Sequence, residues 1–310
     1  MNQQTTQSPK SLDTLVQLTQ ADRHPEADLL KKAKRKALTV FLSGKLIELQ
    51  NSRIQAYRNM YYCNSVLQQN GQELKTSYCK NRFCHVCNAI KTANLIDGYL
   101  PELKSMKDPQ FLTLTIKAVK AKQLRPAISG MIKTFRSINQ HLNKYEHIKL
   151  KAIRKLECNY NPVYDTYNPH FHFVIEGEHQ ALTLRKHWLM RYTNAQPIAQ
   201  NCIPADQDSM IELFKYATKM IAKDGGLYPQ ALDNIYAALS YRRIVQPVGI
   251  KKIVNEDERE KVVYPELQEE NALWKWSTEQ HDWYNENTGE SLTGYMPDHD
   301  TMMLFRELRI

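Results

Sequence analysis

Four groups of residues in this chain stand at spacings that can do chemistry together. The first is the histidine pair His170 and His172 in the run NPHFHFVIEG (168–177). On a strand, residues i and i+2 project to one side. The two imidazoles then share one face, and Phe171 and Phe173 share the other. Such a pair can grip one divalent metal, although satisfied core histidines can have the same spacing. The run LKAIRKLECNY (150–160) reads as the preceding strand and carries Glu157. If the two strands pair, its carboxylate completes a set of two imidazoles and one carboxylate. That donor set, with open positions, suits Mn2+ or Mg2+ acting as a Lewis acid on a phosphate oxygen. Glu176, further along the histidine face, is the weaker alternative.

The second group lies in SMIELFKYATKMIAKDG (209–225). Glu212 and Tyr216 are four apart on a predicted helix and so share a face, and Lys219 follows three residues later. A phenol with a free pKa of about 10 is a weak nucleophile. A polarised phosphate and a nearby cation favour its attack. A carboxylate one turn away can take a proton or activate water. The ordinary alternative is an amphipathic helix with Leu213, Tyr216 and Met220 turned inward and the charges solvated.

The third group is four cysteines, Cys63, Cys79, Cys84 and Cys87, separated by 15, 4 and 2 residues. A Cys-x-x-Cys turn presents two thiolates to one Zn2+, and two further thiolates close a tetrahedral structural site. His85 is an alternative ligand. A redox Cys-x-x-Cys usually opens a helix in a βαβ pattern, and no such pattern is evident here. Cys158 and Cys202 stand alone and read as core residues.

The fourth group is basic. The run KKAKRK supplies Lys31, Lys32, Lys34, Arg35 and Lys36, and Arg82, Lys215, Arg242 and Arg243 are further candidates for phosphate contacts. The formal net charge of the 310 residues is +9, unevenly spread. Residues 255–310 hold 14 acidic and five basic side chains, which leaves 37 basic against 19 acidic in residues 1–254. A body that basic points to a polyanionic partner, with nucleic acid the usual one. No apolar run is long enough for a membrane span. The N-terminus lacks a basic start followed by an apolar block, so a cytoplasmic location is expected.

These residues need elements to hold them. Leu29, Leu30, Ala33, Ala37, Leu38 and Phe41 recur at helical steps. FLTLTIKAV (111–119) alternates like a half-buried strand, residues 124–147 and 181–193 read as helices, and 239–254 holds a strand near its end. The expected division is a disordered or frayed N-terminus (1–24), a basic helical region (25–60), a Cys-rich zinc knob (61–90), a catalytic core (91–254) and an acidic C-terminal tail (255–310).

In order along the chain, FLTLTIK, NPHFHFVI and ELFKYATK resemble the three motifs of the HUH endonucleases. The chain is similar to the plasmid rolling-circle replication initiators in particular. His170 and His172 match the histidine pair, Tyr216 and Lys219 match the Tyr-x-x-Lys motif, and Glu212 matches the branch with one tyrosine and a glutamate. The segment YCKNRFCHVC also resembles that branch. In conjugative relaxases the tyrosine precedes the histidines, whereas here Tyr216 follows them.

The resemblance implies an α+β fold: a central antiparallel sheet of about five strands flanked by helices, with a Cys-rich zinc-binding insertion and a helical N-terminal region. It implies that Tyr216 attacks one phosphodiester of single-stranded or hairpin plasmid origin DNA, leaving a 5′-phosphotyrosyl link and a 3′-OH primer. His170, His172 and Glu157 would hold the metal, Lys219 would stabilise charge or position the ion, and Glu212 would activate water to end the cycle. Host helicase and polymerase would be the partners. The alternatives are a transposase of the same superfamily and a non-enzymatic zinc-containing DNA-binding regulator.

Overall fold

The computed structural model describes residues 25–214, 226–252, 267 and 271–307. The expectation for residues 1–24 lies outside them. The first half of the chain runs α1 (Pro25–Ile47), α2 (Ile54–Tyr61), β1 (Val66–Asn70), β2 (Glu73–Thr76), α3 (His85–Lys104), β3 (Pro109–Thr115) and α4 (Ala121–Tyr145). Then come β4 (Ala152–Asn161), β5 (Thr166–Glu176), α5 (Glu178–Arg191), a 3-10 turn (Pro197–Ala199), β6 (Cys202–Pro204) and α6 (Gln207–Phe214). The chain continues with α7 (Pro229–Leu239), β7 (Val245–Val248), β8 (Leu273–Ser277), β9 (Asp282–Asn285) and α8 (His299–Glu307). The fold is α+β, as expected.

Two compact units divide the chain. One comprises residues 1–37, 65–76 and 260–297, the other 38–64, 77–259 and 298–310. The second unit carries a five-stranded antiparallel sheet in the order β6-β3-β5-β4-β7. Its middle strand is β5, paired on one side with β3 and on the other with β4.

The two faces of β5 divide the core of this unit. Phe171, Phe173 and Ile175 point to one face. There Phe135 of α4 lies 5.1 Å from Phe173, and Trp188 of α5 lies 5.8 Å from Phe171. Helix α4 reaches this face because Leu124, Ile128, Met131, Phe135, Ile138 and Leu142 recur every three or four residues and are all buried. Each such side chain contributes about 1.5–3 kcal/mol on burial. The other face takes Val174 and Ile153, covered by Tyr99 and Leu103 of α3 and by Met210, Leu213 and Phe214 of α6. His170 and His172 are on the Val174 side by strand alternation.

Pro169 falls within a central strand, where a missing N–H normally disrupts pairing. Here the ladder to β3 ends at Thr115–His170 and resumes only as the single bridge Val119–Tyr167. Pro169 sits in that gap, so no bond to β3 is lost. The turn between β4 and β5 is accordingly shorter than the run NPVYDTYNP indicated, because strand pairing extends to Asn161–Thr166.

The first unit holds a four-stranded antiparallel sheet, β2-β1-β8-β9. Strands β8 and β9 come from the segment expected to be an acidic tail. Leu67 pairs with Trp274, and Trp274 Nε1 donates to Gln69 Oε1 at 3.0 Å. No helix is long and apolar enough to cross a membrane among the described residues.

Candidate metal centre and its surroundings

Strand register brings the first candidate residues together. In an antiparallel pair, directly opposed residues point to the same face. Glu157 on β4 stands opposite His170 on β5, Lys155 stands opposite His172, and on β3 Thr115 and Thr113 face the same two histidines. The Nε2 atoms of His170 and His172 lie 3.3 and 3.5 Å from one oxygen of Glu157, Oε2. A six-coordinate ion with bonds of about 2.1 Å spaces adjacent donors by roughly 3 Å. The three donors therefore fit one divalent cation after small adjustments.

The other ring nitrogens are already committed. His170 Nδ1 is 2.9 Å from the carbonyl of Asn168, which only accepts, so Nδ1 carries the proton and Nε2 presents its lone pair. His172 Nδ1 is 3.0 Å from the hydroxyl of Thr113. His170 is almost fully buried. Burial pushes His172 down, Glu157 opposes this, and the neighbouring His170 and Lys155 add to it; the net shift is downward, which favours the neutral, ligating ring. Burial pushes the Glu157 carboxyl up, but the polar contacts with both histidines and the charge of Lys155 outweigh it and hold it well below the usual carboxylate range.

Lys155 was not singled out from sequence. Its side chain is buried, its ammonium pairs with Glu157 Oε1, and it donates to the carbonyl of Glu212 at 3.2 Å. One carboxylate oxygen thus faces a lysine and the other faces two imidazoles. Lys155 stands two residues before Glu157 on a strand, which was a usable signal. Thr113 could be found only from the register.

A cavity of about 400 Å3 opens over this cluster. Its lining includes Lys155, Glu157, His170, His172, Glu212 and Leu213. Glu212 is exposed on α6, and Phe214 at the end of that helix accepts from Thr92 Oγ1 at 3.1 Å. Lys215, Tyr216 and Lys219 lie outside the described residues.

The four cysteines also converge. Cys63 and Cys79 Sγ lie 3.6 and 3.7 Å from Cys87 Sγ. Zn–S bonds of about 2.3 Å in a tetrahedron require sulfurs roughly 3.8 Å apart. All four sulfurs lie within 4.8 Å of one another, so the set fits a structural zinc. Cys84 caps α3 and accepts from the Cys87 backbone N–H, while Cys63 Sγ accepts from Cys79 N–H at 3.3 Å. His85 is not part of this cluster; its N–H donates to Thr39 Oγ1.

The basic candidates scatter. Lys36 is fully buried, with its ammonium 2.8 Å from Ser65 Oγ and over the ring of Trp276, so it is not part of an exposed stripe. Lys31, Lys32, Lys34 and Arg35 of the same helix are half-buried. Arg82 donates to the carbonyl of Leu239 at 2.6 Å, and Arg242 to Ser129 Oγ at 2.7 Å. Arg243 is exposed.

Residues 71–192 match the model of a family described as Replication protein. The matched stretch includes Glu157, His170 and His172 together with Cys79, Cys84 and Cys87; Cys63, Glu212 and Tyr216 lie beyond it. A "Protein rep" of Staphylococcus aureus is 35% identical over 121 residues, 37% of this chain and 52% of that protein. A "Protein rep" of Bacillus sp is 36% identical over 103 residues, 32% of this chain and 33% of its own length. One from Streptococcus pneumoniae serotype 2 is 28% identical over 105 residues, covering 32% of each chain. The similarity thus spans about half the length of the first relative and about a third of the others. No solved structure matches the chain.

Proposed function

We propose that this chain initiates plasmid rolling-circle replication by nicking and rejoining one strand of origin DNA. The observation that carries the reading is the convergence of two imidazole Nε2 atoms on one oxygen of Glu157, inside a cavity that Glu212 also lines. Similarity of residues 71–192 to replication proteins supports the biological setting.

A divalent cation, Mn2+ or Mg2+, supplies Lewis acidity at the scissile phosphate when bound. His170, His172 and Glu157 would hold it, and Lys155 orients the carboxylate from behind. Tyr216 is the nucleophile. Its phenol gives up its proton as the oxygen attacks phosphorus, the bond from phosphorus to the 3′ oxygen breaks, and the leaving oxygen takes up one proton in return to become the 3′-OH primer. The 5′ phosphate remains on Tyr216, which comes three residues after the cavity-lining Leu213 in the chain. Glu212 takes a proton from water in the closing hydrolysis, and Lys219 offsets charge on the phosphate. The four-cysteine zinc centre is structural.

The test uses labelled single-stranded oligonucleotides tiled across the replicon that carries the gene, with Mn2+ and a Tyr216→Phe control. A covalent, protease-sensitive adduct with the wild type alone is expected. Salt-dependent binding without cleavage at any position overturns the nicking reading in favour of a DNA-binding regulator.

A further inference from the structure

On the Phe171 side of the sheet, α4 and α5 bring together a third set of donors. His141 is on the last turn of α4, Glu146 is the residue that ends it, and His187 is on α5. His141 Nε2 is 3.3 Å from Glu146 Oε1, and His187 Nε2 is 2.6 Å from the same oxygen. The two rings lie 5.1 Å apart, and the three donor atoms fall within 4.8 Å of one another.

We propose that His141, Glu146 and His187 form a separate site for a Zn2+-class transition metal that clamps the end of α4 to α5. This inference does not depend on the nicking reaction.

The chain stops α4 in a way that holds the carboxylate in place. Glu146 N–H and Ile148 N–H both donate to the carbonyl of Leu142, at 3.2 and 2.9 Å, and His147 takes a left-handed conformation with φ of 56°. This closed helix end fixes Glu146 against the buried Leu142. On the partner helix, His187 precedes the fully buried Trp188, so its backbone is held by the core while its side chain stays 14% exposed.

Two imidazolium rings on one carboxylate oxygen would place two like charges side by side. A bound cation removes that repulsion: with the ring protons on Nδ1, both Nε2 atoms would present lone pairs to it. The cluster is then two nitrogens and one oxygen facing a common point. Imidazole nitrogen selects Zn2+, Ni2+ or Cu2+ over Mg2+. A tetrahedral zinc with bonds of about 2.05 Å spaces donors by roughly 3.3 Å. The His141–Glu146 separation has that value, and the His187–Glu146 contact needs to open slightly. Water completes the coordination.

The experiment is equilibrium dialysis of the full chain, zinc-loaded at its cysteines, against Zn2+. It compares wild type with His187→Gln, Glu146→Gln and a Glu157→Gln/His172→Ala variant. Wild type is expected to take up two equivalents, one at each set of two imidazoles and a carboxylate, and Glu146→Gln and His187→Gln are expected to bind one of them at least tenfold more weakly. The Glu157→Gln/His172→Ala variant is expected to retain one. Equal uptake by wild type and a folded Glu146→Gln overturns the proposal, as does loss of both equivalents in the Glu157→Gln/His172→Ala variant. Should His187→Gln not fold, Glu146→Gln carries the test, since its side chain is one-third exposed at a helix end.

Discussion

Glu157 and His170 are direct partners across the β4–β5 ladder, with Glu157 Oε2 3.3 Å from His170 Nε2. The contact is set by backbone register, so it does not depend on a flexible side chain finding its place. Removing the carboxylate charge while keeping its shape is therefore a clean perturbation. Glu157→Gln is expected to weaken Mn2+ binding by on the order of 100-fold, and cleavage with it, while affinity for DNA changes little. Titration calorimetry with Mn2+ and a gel-shift assay separate the two effects. Unchanged Mn2+ affinity removes Glu157 from the ligand set.

Lys155 gives a prediction that differs in the presence and absence of metal. Its buried ammonium neutralises Glu157 from the side away from the histidines. Breaking a buried pair by removing one partner costs about 3–5 kcal/mol. Lys155→Met should lower the melting temperature of the metal-free protein. Added Mn2+ should then raise it by more than in wild type, because the cation replaces the lost positive charge. Equal Mn2+-dependent shifts in both proteins would show that lysine and metal do not share the carboxylate.

The cysteine cluster joins three places in the chain: Cys63 after α2, Cys79 before a turn, and Cys84 with Cys87 at the start of α3. A metal that ties such segments adds its binding energy to folding. Cys84→Ser is expected to lower bound zinc from one equivalent and to reduce the melting temperature by several degrees. The second effect reports the lost ligand alone, because a serine Oγ at position 84 can still accept from the Cys87 N–H and cap α3. Full zinc content in the variant, measured by mass spectrometry of the native protein, would count against a four-thiolate site.

Thr113 tests the surroundings of the metal ligands. Its hydroxyl lies 3.0 Å from His172 Nδ1 and holds the ring from β3. Thr113→Val keeps the branched shape suited to a strand. Loss of such an outer contact typically costs 10–100-fold in metal affinity. The expected outcome is weaker Mn2+ binding at unchanged stability, read by calorimetry and thermal melting. A stability loss without an affinity loss would make Thr113 a packing residue only.

The histidine pair was legible because a period of two needs only neighbouring residues. Its partner Glu157 was legible as a possibility, since the strands follow one another in the chain. Lys155 was hidden by habit: a lysine on a strand reads as solvent-facing until its own face of the sheet is known to be covered by α6. Lys36 was hidden for a related reason. Within KKAKRK, charge alone does not distinguish the one side chain that turns inward toward Ser65 and Trp276, both far away in sequence. The four-stranded sheet was missed because β1 pairs with β8 across some two hundred residues. The hairpin signal Asn70-Gly71 was there to be read. Alternation in LWKWS was masked by the acidic composition of the segment around it.

The buried cluster of Arg53, Tyr57 and Asp233 predicts how stability responds to acid. Arg53 Nε and Tyr57 Oη donate to Asp233 Oδ1 at 2.6 and 2.5 Å, and the Asp233 side chain is fully buried on α7. Burial pushes this carboxyl up, but hydrogen bonds from Arg53, Tyr57 and Asn51 outweigh it and hold it below the ordinary aspartate range. A carboxyl depressed in the folded state binds fewer protons there than in the unfolded chain. Its stabilisation is therefore complete above the unfolded value of about 4 and is lost as the pH falls through the folded value. Asp233→Asn should cost about 2 kcal/mol at neutral pH, the worth of hydrogen bonds to a charged group. The gap between wild type and variant should narrow only below about pH 4, as the native carboxyl gains its proton. Urea unfolding of both proteins from neutral to acid pH measures the gap directly, and other carboxyl groups cancel in the difference. A gap that stays constant down to acid unfolding would mean that the charge of Asp233 contributes nothing to holding α2 against α7.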